Sequence, residues 1–289
     1  MSKPILRTED LCLVYGKGTP FEKQAVKNVN IEINRGEVIG VIGHTGSGKS
    51  TLMQMLNGLI KPTSGKVYLD GTDIHADKKK LRDVRFRVGL VFQYPENQLF
   101  EETVRQDIAF GPRNMGLPDE SIQKRVMRAA AFSGLKEELL DRSPFDLSGG
   151  EKRRAAIAGV IAMDPEILIL DEPTAGLDPM GRDVLLSQIE AYHKSRNNTV
   201  LLVSHSMEDI AGIADKVLVM NHGVCEMFDT TRNVFSRSEE LETMGLRVPQ
   251  ITKITTELRK KGVPLSEGIL TVEDAFKEIS AILKKGGRI

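Results

Sequence analysis

The most informative segment of this 289-residue chain is Gly43-His44-Thr45-Gly46-Ser47-Gly48-Lys49-Ser50. It matches the pattern G-x-x-x-x-G-K-[ST] in full, and it lies between an apolar run, Val38 to Ile42, and a predicted helix, Lys49 to Asn57. The glycines let several backbone N–H groups point at one phosphate chain, and the following helix adds its positive N-terminal end. We expect Lys49 to reach the β- and γ-phosphates of a nucleotide and Ser50 to hold Mg²⁺. A glycine-rich turn without a ligand is the alternative interpretation of this segment alone.

A second segment supplies two carboxylates. Ile167 to Leu170 is apolar throughout, as a central parallel strand should be, and Asp171 and Glu172 follow it directly. Because parallel strands bind ligands at their carboxyl ends, we expect both acidic residues beside the phosphate loop. In the usual division of labour, Asp171 completes the Mg²⁺ shell and Glu172 orients and deprotonates the attacking water. A carboxylate pair that caps a helix is the alternative, and the phosphate loop disfavours it. The sequence therefore predicts binding of a nucleoside triphosphate with Mg²⁺.

The rest of the first 235 residues predicts a mainly parallel α/β sheet, because short apolar runs alternate with longer amphipathic segments. Alternating apolar residues before residue 40 predict a small antiparallel layer, and the charged, helical pattern from Thr103 to Asp141 predicts an insertion among the strands. The further predicted strands are Val88 to Phe92, Thr199 to Val203, and Val217 to Met220 with Val224 to Phe228 as a hairpin around Asn221-His222-Gly223.

The end of the chain has a different pattern. Residues 247–289 predict a helical extension to the main unit, 1–246. Thr271 and Asp274 form a capping-box pattern ahead of an apolar stripe. The stripe comprises Val272, Ala275, Phe276, Ile279, Ile282 and Leu283. It either covers the main domain or faces another subunit, because amphipathic periodicity alone fits both.

The composition excludes several classes of protein. The 40 Lys and Arg residues balance the 40 Asp and Glu residues, so the charge gives no reason to expect a nucleic-acid partner. A membrane span needs about 18 apolar residues in a row, whereas the longest uncharged apolar run, Ala155 to Met163, has nine. Two cysteines, Cys12 and Cys225, make no disulfide framework or metal cluster, and the first residues show no apolar signal core. We therefore expect a reduced cytosolic protein.

A third motif, Leu147-Ser148-Gly149-Gly150-Glu151, indicates the kind of nucleotide-binding protein. Glycines and a serine at the start of a helix expose donors to an anion, although Ser-Gly-Gly in isolation is more often a plain turn. With the phosphate loop before it and the acidic strand after it, the set resembles the ATP-binding cassette (ABC) ATPases over roughly residues 5–235. That resemblance implies a phosphate-loop NTPase fold with a RecA-like parallel core, an antiparallel β layer and a helical subdomain at about 95–163.

The resemblance also implies a role for each matching residue. Ser148, Gly149 and Gly150 would bind the γ-phosphate held by a partner subunit in a head-to-tail dimer. Tyr15 would stack on adenine, or it packs locally as a strand-end tyrosine. The catalytic set would be Glu172, His205, Gln93 and Lys49, and the Mg²⁺ set Ser50, Gln93 and Asp171. The ATP-binding set would be Tyr15, Gly43, His44, Thr45, Gly46, Ser47, Gly48, Lys49, Ser50, Thr51, Ser148, Gly149, Gly150 and Asp178.

At finer grain the chain is similar to the ATPases of energy-coupling factor (ECF) transporters, the prokaryotic cobalt and vitamin importers. The similarity rests on the segments 93–100, 18–25 and 153–159 and on the helical extension, and segments 18–25 and 204–207 look more like the second of two paralogous ATPases. Glu151-Lys152 departs from the Gln-Met of that subunit, so pairing with itself and pairing with a paralogue both stay open. Leu99 and Phe100 either form a groove for a partner helix or fill the core of the insertion.

This similarity implies a peripheral protein on the cytoplasmic face of a prokaryotic membrane. It would bind a second ATPase subunit, an integral coupling subunit and an integral substrate-binding subunit, but no nucleic acid. ATP hydrolysis would drive uptake of a vitamin or a transition-metal ion. The alternatives are the ATPase of a conventional ABC importer and a soluble ATP-gated clamp on ribosomes or DNA. A regulator that binds ATP without turnover would need a damaged catalytic set, whereas Glu172 and His205 are both present.

Overall fold

The structure, a computed structural model, describes residues 3–284. Its strands are β1 (Leu6–Tyr15), β2 (Lys23–Val29), β3 (Glu32–Ile33), β4 (Val38–Ile42), β5 (Ser64–Leu69), β6 (Thr72–Asp73), β7 (Val88–Val91), β8 (Ile167–Asp171), β9 (Thr199–Val203), β10 (Lys216–Asn221) and β11 (Val224–Thr230). Its α-helices are α1 (Lys49–Leu56), α2 (Leu81–Arg87), α3 (Val104–Asn114), α4 (Asp119–Ser133), α5 (Gly149–Ile161), α6 (Pro179–Arg196), α7 (Met207–Ile213), α8 (Thr231–Ser236), α9 (Ser238–Thr243), α10 (Gln250–Lys260) and α11 (Val272–Lys284). Residues 1–2 and 285–289, the outer ends of the predicted units 1–246 and 247–289, lie outside the described residues.

The central sheet has six strands in the order β11-β10-β4-β9-β8-β7. Pairing is parallel from β10 to β7, and only the hairpin strand β11 runs antiparallel. Every residue of β4, β8 and β9 is buried, because other layers cover both faces of the sheet. These strands confirm the predicted parallel core; β7 ends one residue earlier than predicted, and β8 extends to Asp171.

The predicted antiparallel layer is also confirmed. Its strands follow the order β2-β1-β5-β6, with β3 on β1. Leu11 and Val29 from this layer share one apolar core with Ile39 and Val41 of the central sheet and with Leu52 of α1. The layer therefore covers the face of the sheet beside α1, and it brings the end of β1 close to the phosphate loop.

Helices α3 and α4 lie within the predicted helical insertion, Thr103 to Asp141, and α5 packs against both of them. Most of their buried apolar residues belong to the second large core, which also includes Leu168 and Leu170 of β8. Leu99 packs against this core, whereas Phe100 is 60% exposed and meets the exposed Phe110 ring edge-on at 4.9 Å between centroids. Leu99 therefore helps to fill the core of the insertion, whereas a groove for a partner helix stays a prediction for Phe100 alone.

The C-terminal extension has a small core of its own around α10 and α11. Thr271 caps α11, because its hydroxyl accepts the backbone N–H of Asp274 at 3.1 Å. The predicted stripe divides into two: Ala275 is buried, whereas Val272 and Phe276 are exposed. The division of the chain at residue 246 stays a prediction. Within residues 3–284, no helix is both long enough and apolar enough to span a membrane.

Candidate active site

The carboxyl ends of the parallel strands meet at one edge of the central sheet and form a cleft of about 410 Å³. The phosphate loop follows β4, Glu172 follows β8, and His205 and Gln93 come two residues after β9 and β7. The cleft is lined by Tyr15, Lys23, Ala25, Thr45, Gly46, Gly48, Lys49, Ser50, Thr51, Gln93, Glu172 and His205. Ten of the predicted site residues, Thr51 among them, therefore come together here.

The phosphate loop needs its glycines for conformation and for space. Gly48 has φ +100°, and a Cβ there would lie 2.3 Å from the carbonyl oxygen of Ala25. A Cβ on Gly43 would likewise lie 2.3 Å from the carbonyl oxygen of Met220. Helix α1 begins directly after Gly48, and within residues 3–284 no side chain caps its first turn. The N–H groups of this turn therefore point at the cleft, where an anion can accept them.

Lys49 is a buried cation aimed back into the loop. Its Nζ donates to the carbonyl oxygens of Gly43 at 2.7 Å and of His44 at 3.0 Å. Burial lowers the pKa of Lys49, and the nearby carboxylates of Glu172 and Asp171 oppose that shift. The ammonium group is thus held where a phosphate chain in the loop would meet it.

Glu172, Gln93 and His205 form the hydrogen-bonded centre of the cleft. Gln93 Nε2 donates to one carboxylate oxygen of Glu172 at 2.8 Å, and His205 Nε2 lies 2.7 Å from the other. The backbone of Glu172 has φ +52°, a left-handed conformation that costs a non-glycine residue about 1–3 kcal/mol. Its N–H donates to the carbonyl oxygen of Val203 at 3.0 Å, which holds this turn against β9. Strand β8 therefore ends in a strained turn that aims one carboxylate into the cleft.

Asp171 and Ser50 fit a bound Mg²⁺. Asp171 is 4% exposed, and its Oδ1 is buried with no hydrogen-bond partner in the described part of the chain. Burial raises the pKa of Asp171, and the neighbouring Ser50 side chain opposes that shift in part. A buried carboxylate oxygen with unused acceptor capacity, beside a hydroxyl group, is a suitable ligand set for a hard divalent cation. Gln93 uses its amide N–H for Glu172, so its side-chain oxygen is the atom left for a cation or a water.

Tyr15 and two residues that the sequence interpretation missed form the outer wall. The Tyr15 ring is 43% exposed in the cleft, with its hydroxyl 3.4 Å from Thr51 Oγ1. Lys23 pairs with Tyr15 across β1 and β2, and Ala25 follows on the same strand. Their positions depend on strand register, and β1 and β2 shift register between Leu13 and Val14. The exposed ring favours stacking on a base over local packing.

Eight predicted residues do not line the cleft. Gly43, His44 and Ser47 belong to the phosphate loop and Asp171 ends β8, whereas the other four lie at the starts of two helices. Ser148 caps α5: its hydroxyl accepts the Glu151 N–H at 3.4 Å, and Glu151 accepts from Ser148 N–H at 2.9 Å. Gly149 and Gly150 follow in the first turn. Asp178 caps α6 by accepting the Gly181 N–H at 2.7 Å. The described chain thus presents one phosphate-binding cleft and, separately, one serine-glycine helix start.

Comparisons with known proteins agree with this geometry. The family model described as ABC transporter matches residues 26–175. The energy-coupling factor transporter ATP-binding protein EcfA2 of Caldanaerobacter subterraneus is 54% identical over 279 residues, which cover 96% of this chain and 98% of that protein. EcfA2 of Clostridium tetani is also 54% identical, with 96% of each chain covered.

Two solved structures have the same fold. Clostridium perfringens cbiO1, described as part of the ABC transporter complex cbiONQ, has a TM-score of 0.74 and 40% identity over 88% of this chain and all of its own. An ATP-binding cassette solved as a dimer bound to ADP and Pi has a TM-score of 0.71 and 27% identity over 78% of this chain and 99% of its own. The predicted ABC fold is therefore confirmed, and the chain belongs to the ABC transporter family, among the ATP-binding proteins of energy-coupling factor transporters.

Proposed function

We propose that this chain is the ATP-hydrolysing subunit of an energy-coupling factor transporter and that it powers uptake of a vitamin or a transition-metal ion. The observation that carries the proposal is the meeting of Glu172, Gln93 and His205 beside the phosphate loop, in a chain 54% identical to named ATP-binding proteins of such transporters. ATP fits this cleft because Tyr15 lies at its outer wall and the loop at its inner end.

The residues of the cleft account for hydrolysis. The oxygen of a water forms a bond to the γ-phosphorus while the bond from that phosphorus to the β,γ-bridging oxygen breaks, so ADP and phosphate result. Glu172 orients the water and accepts its proton, and Gln93 and His205 hold that carboxylate in place. Lys49 neutralises negative charge on the β- and γ-phosphates. Mg²⁺, when held by Ser50, Asp171 and Gln93, supplies further positive charge to the phosphate oxygens.

The position of the Ser148 helix start, apart from the cleft, is the reason to propose a second subunit. We propose a head-to-tail pair, formed with a paralogue or with a second copy, in which Ser148, Gly149 and Gly150 face the γ-phosphate held by the partner. Asp178 would lie at the same interface, at the start of α6. ATP would then close the pair, and loss of the γ-phosphate would let it reopen. A dimeric cassette with ADP and Pi among the structural neighbours supports this arrangement.

The remaining partners are membrane proteins. We propose an integral coupling subunit and an integral substrate-binding subunit, with this chain bound peripherally at the cytoplasmic face. The exposed Phe100 and Phe110 rings, which contact each other edge-on, are suited to receive a helix of the coupling subunit. The balanced charge of 40 basic and 40 acidic residues gives no support to a nucleic-acid partner.

The experiment is co-purification from the native membrane. The chain is tagged in its own cell, the membranes are solubilised gently, and the bound proteins are identified by mass spectrometry. We expect a polytopic coupling protein, a second cassette ATPase and a small membrane protein that identifies the substrate. Recovery only with ribosomes or nucleic acid in the soluble fraction would contradict the transport function, but it would not contradict ATP binding in the cleft.

A further inference from the structure

Arg153 is a buried cation in the second turn of α5, only 5% exposed and outside the cleft. A buried guanidinium group is tolerated only when its donors are paired. Its Nε and Nη2 donate to the two carboxylate oxygens of Glu96, at 3.1 and 2.9 Å, in a bidentate pair. Its Nη1 donates to the backbone carbonyl oxygens of Pro173, at 3.4 Å, and of Ala175.

These partners belong to the two segments that form the centre of the active site. Glu96 lies in the Pro95–Gln98 turn, three residues after Gln93. Pro173 and Ala175 lie in the turn that directly follows Glu172. Gln93 and Glu172 are themselves joined by the 2.8 Å hydrogen bond. One guanidinium group therefore ties the glutamine segment, the glutamate turn and helix α5 together.

Helix α5 is also the helix that begins with the Ser148-Gly149-Gly150 end. A helix in a packed core moves as a rigid element, so a displacement of either bound segment reaches that end through Arg153. We propose that Arg153 is a positioning residue that couples the Gln93–Glu172 pair to the orientation of α5, and so links hydrolysis in one subunit to the serine-glycine end that the partner's ATP requires. This inference rests on the proposed ATP-driven pairing.

Arg153→Lys is the variant that tests the geometry while keeping the charge. A lysine has one nitrogen and lacks the planar fork, so it cannot hold both oxygens of Glu96 and both carbonyl groups together. Because Arg153 lies outside the cleft, we expect the Kd for ATP to stay within about twofold of the unmodified protein. We expect kcat to fall about tenfold or more with KM little changed, since small displacements of catalytic groups have effects of this size.

Two further variants make the result specific. Glu96→Gln removes the other charge of the pair and should lower kcat in the same way, so it carries the test if Arg153→Lys does not fold. Arg154→Lys is the matched control, because this neighbouring arginine donates only to the carbonyl oxygen of Gly134, at 3.4 Å, among the hydrogen bonds of the described residues. It should leave kcat and Kd unchanged.

A readout independent of turnover separates coupling from general stability. Hydrogen exchange of residues 43–51 and 148–153 is followed in the ATPase complex with and without the non-hydrolysable analogue AMP-PNP. In Arg153→Lys we expect protection of 43–51 to persist and the response of 148–153 to be lost. An intact response, or kcat within twofold of the unmodified protein, would overturn the role of Arg153. Absence of ATP turnover in the unmodified complex would instead refute the proposed function, and the exchange result would still decide on Arg153.

Discussion

Asp171 and Glu172 are neighbours in the chain, yet their side chains have different surroundings. Asp171 is buried beside Ser50 with one unpaired oxygen, whereas both oxygens of Glu172 are held by Gln93 and His205. Two carboxylates in different environments can take different chemical roles. Here the first is suited to a cation and the second to a water molecule.

At Asp171 we predict a conflict between stability and function. Asp171→Asn should raise the Tm of the nucleotide-free protein at pH 7, because a buried carboxylate without full pairing costs folding free energy. The same variant should lose most of the additional Tm increase that Mg²⁺ with ATP gives the unmodified protein. Thermal unfolding with ATP, with and without Mg²⁺, checks both effects. A lower Tm without nucleotide would show that Asp171 is already satisfied in the folded chain.

At Glu151 we predict an effect of charge on pairing. A hydrogen bond from the Ser148 hydroxyl, 2.7 Å long, lowers the pKa of Glu151, so a negative charge sits beside the proposed γ-phosphate contact. Glu151→Gln keeps the capping box and removes that charge. We expect the ATP concentration for half-maximal dimerisation to fall by roughly two- to fivefold, the size typical of exposed charge interactions. Analytical ultracentrifugation in a Glu172→Gln background measures it. An unchanged midpoint would place Ser148 away from the phosphate.

At the scale of single elements, α11 presents an apolar face that the small C-terminal core leaves uncovered. Phe276 is 71% exposed, and Val272, one turn earlier, is equally open. We predict that this face is part of the subunit interface, so Phe276→Ala should weaken pairing while Tm stays nearly constant, as is usual for exposed positions. Lys277→Ala, on the same helix, is the matched control. Deletion of residues 247–289 should weaken pairing further. Unchanged dimer affinity in both Phe276→Ala and the deletion variant would instead show that the extension only covers the main domain.

The elements that the sequence predicts best are those whose pattern has one physical interpretation. Strands β4, β8 and β9 are short apolar runs between polar turns, and burial on both faces demands such runs. The division of the α11 stripe could not be predicted, because periodicity does not say what lies opposite a face. The contacts of Arg153 could not be predicted either. A charged residue in a helix is normally solvated, and only the folded chain brings Glu96 and the Ala175 carbonyl to it.

At the scale of the whole molecule, the site is built from segments spread over most of the chain. The phosphate loop, Gln93, Glu172 and His205 meet because parallel strands end at one edge, and this part of the site follows from motif order and fold class. Lys23 and Ala25 could not be predicted, since they reach the cleft through the register of the antiparallel layer. The Ser148 end lies apart from the cleft. In the proposed head-to-tail pair, a second subunit would bring this end to an ATP site.

The most direct measurement is the rate of phosphate release by the purified ATPase complex with unmodified chain and with Glu172→Gln. Glutamine keeps the size of the side chain but cannot accept the proton of water, so we expect turnover to fall at least about a hundredfold. The Kd for ATP should stay within about threefold of the unmodified protein. The ATP-bound pair should persist, because the γ-phosphate that holds it closed is not removed. Normal steady-state phosphate release by Glu172→Gln would contradict the role of Glu172 and, with it, the hydrolytic mechanism proposed for this cleft.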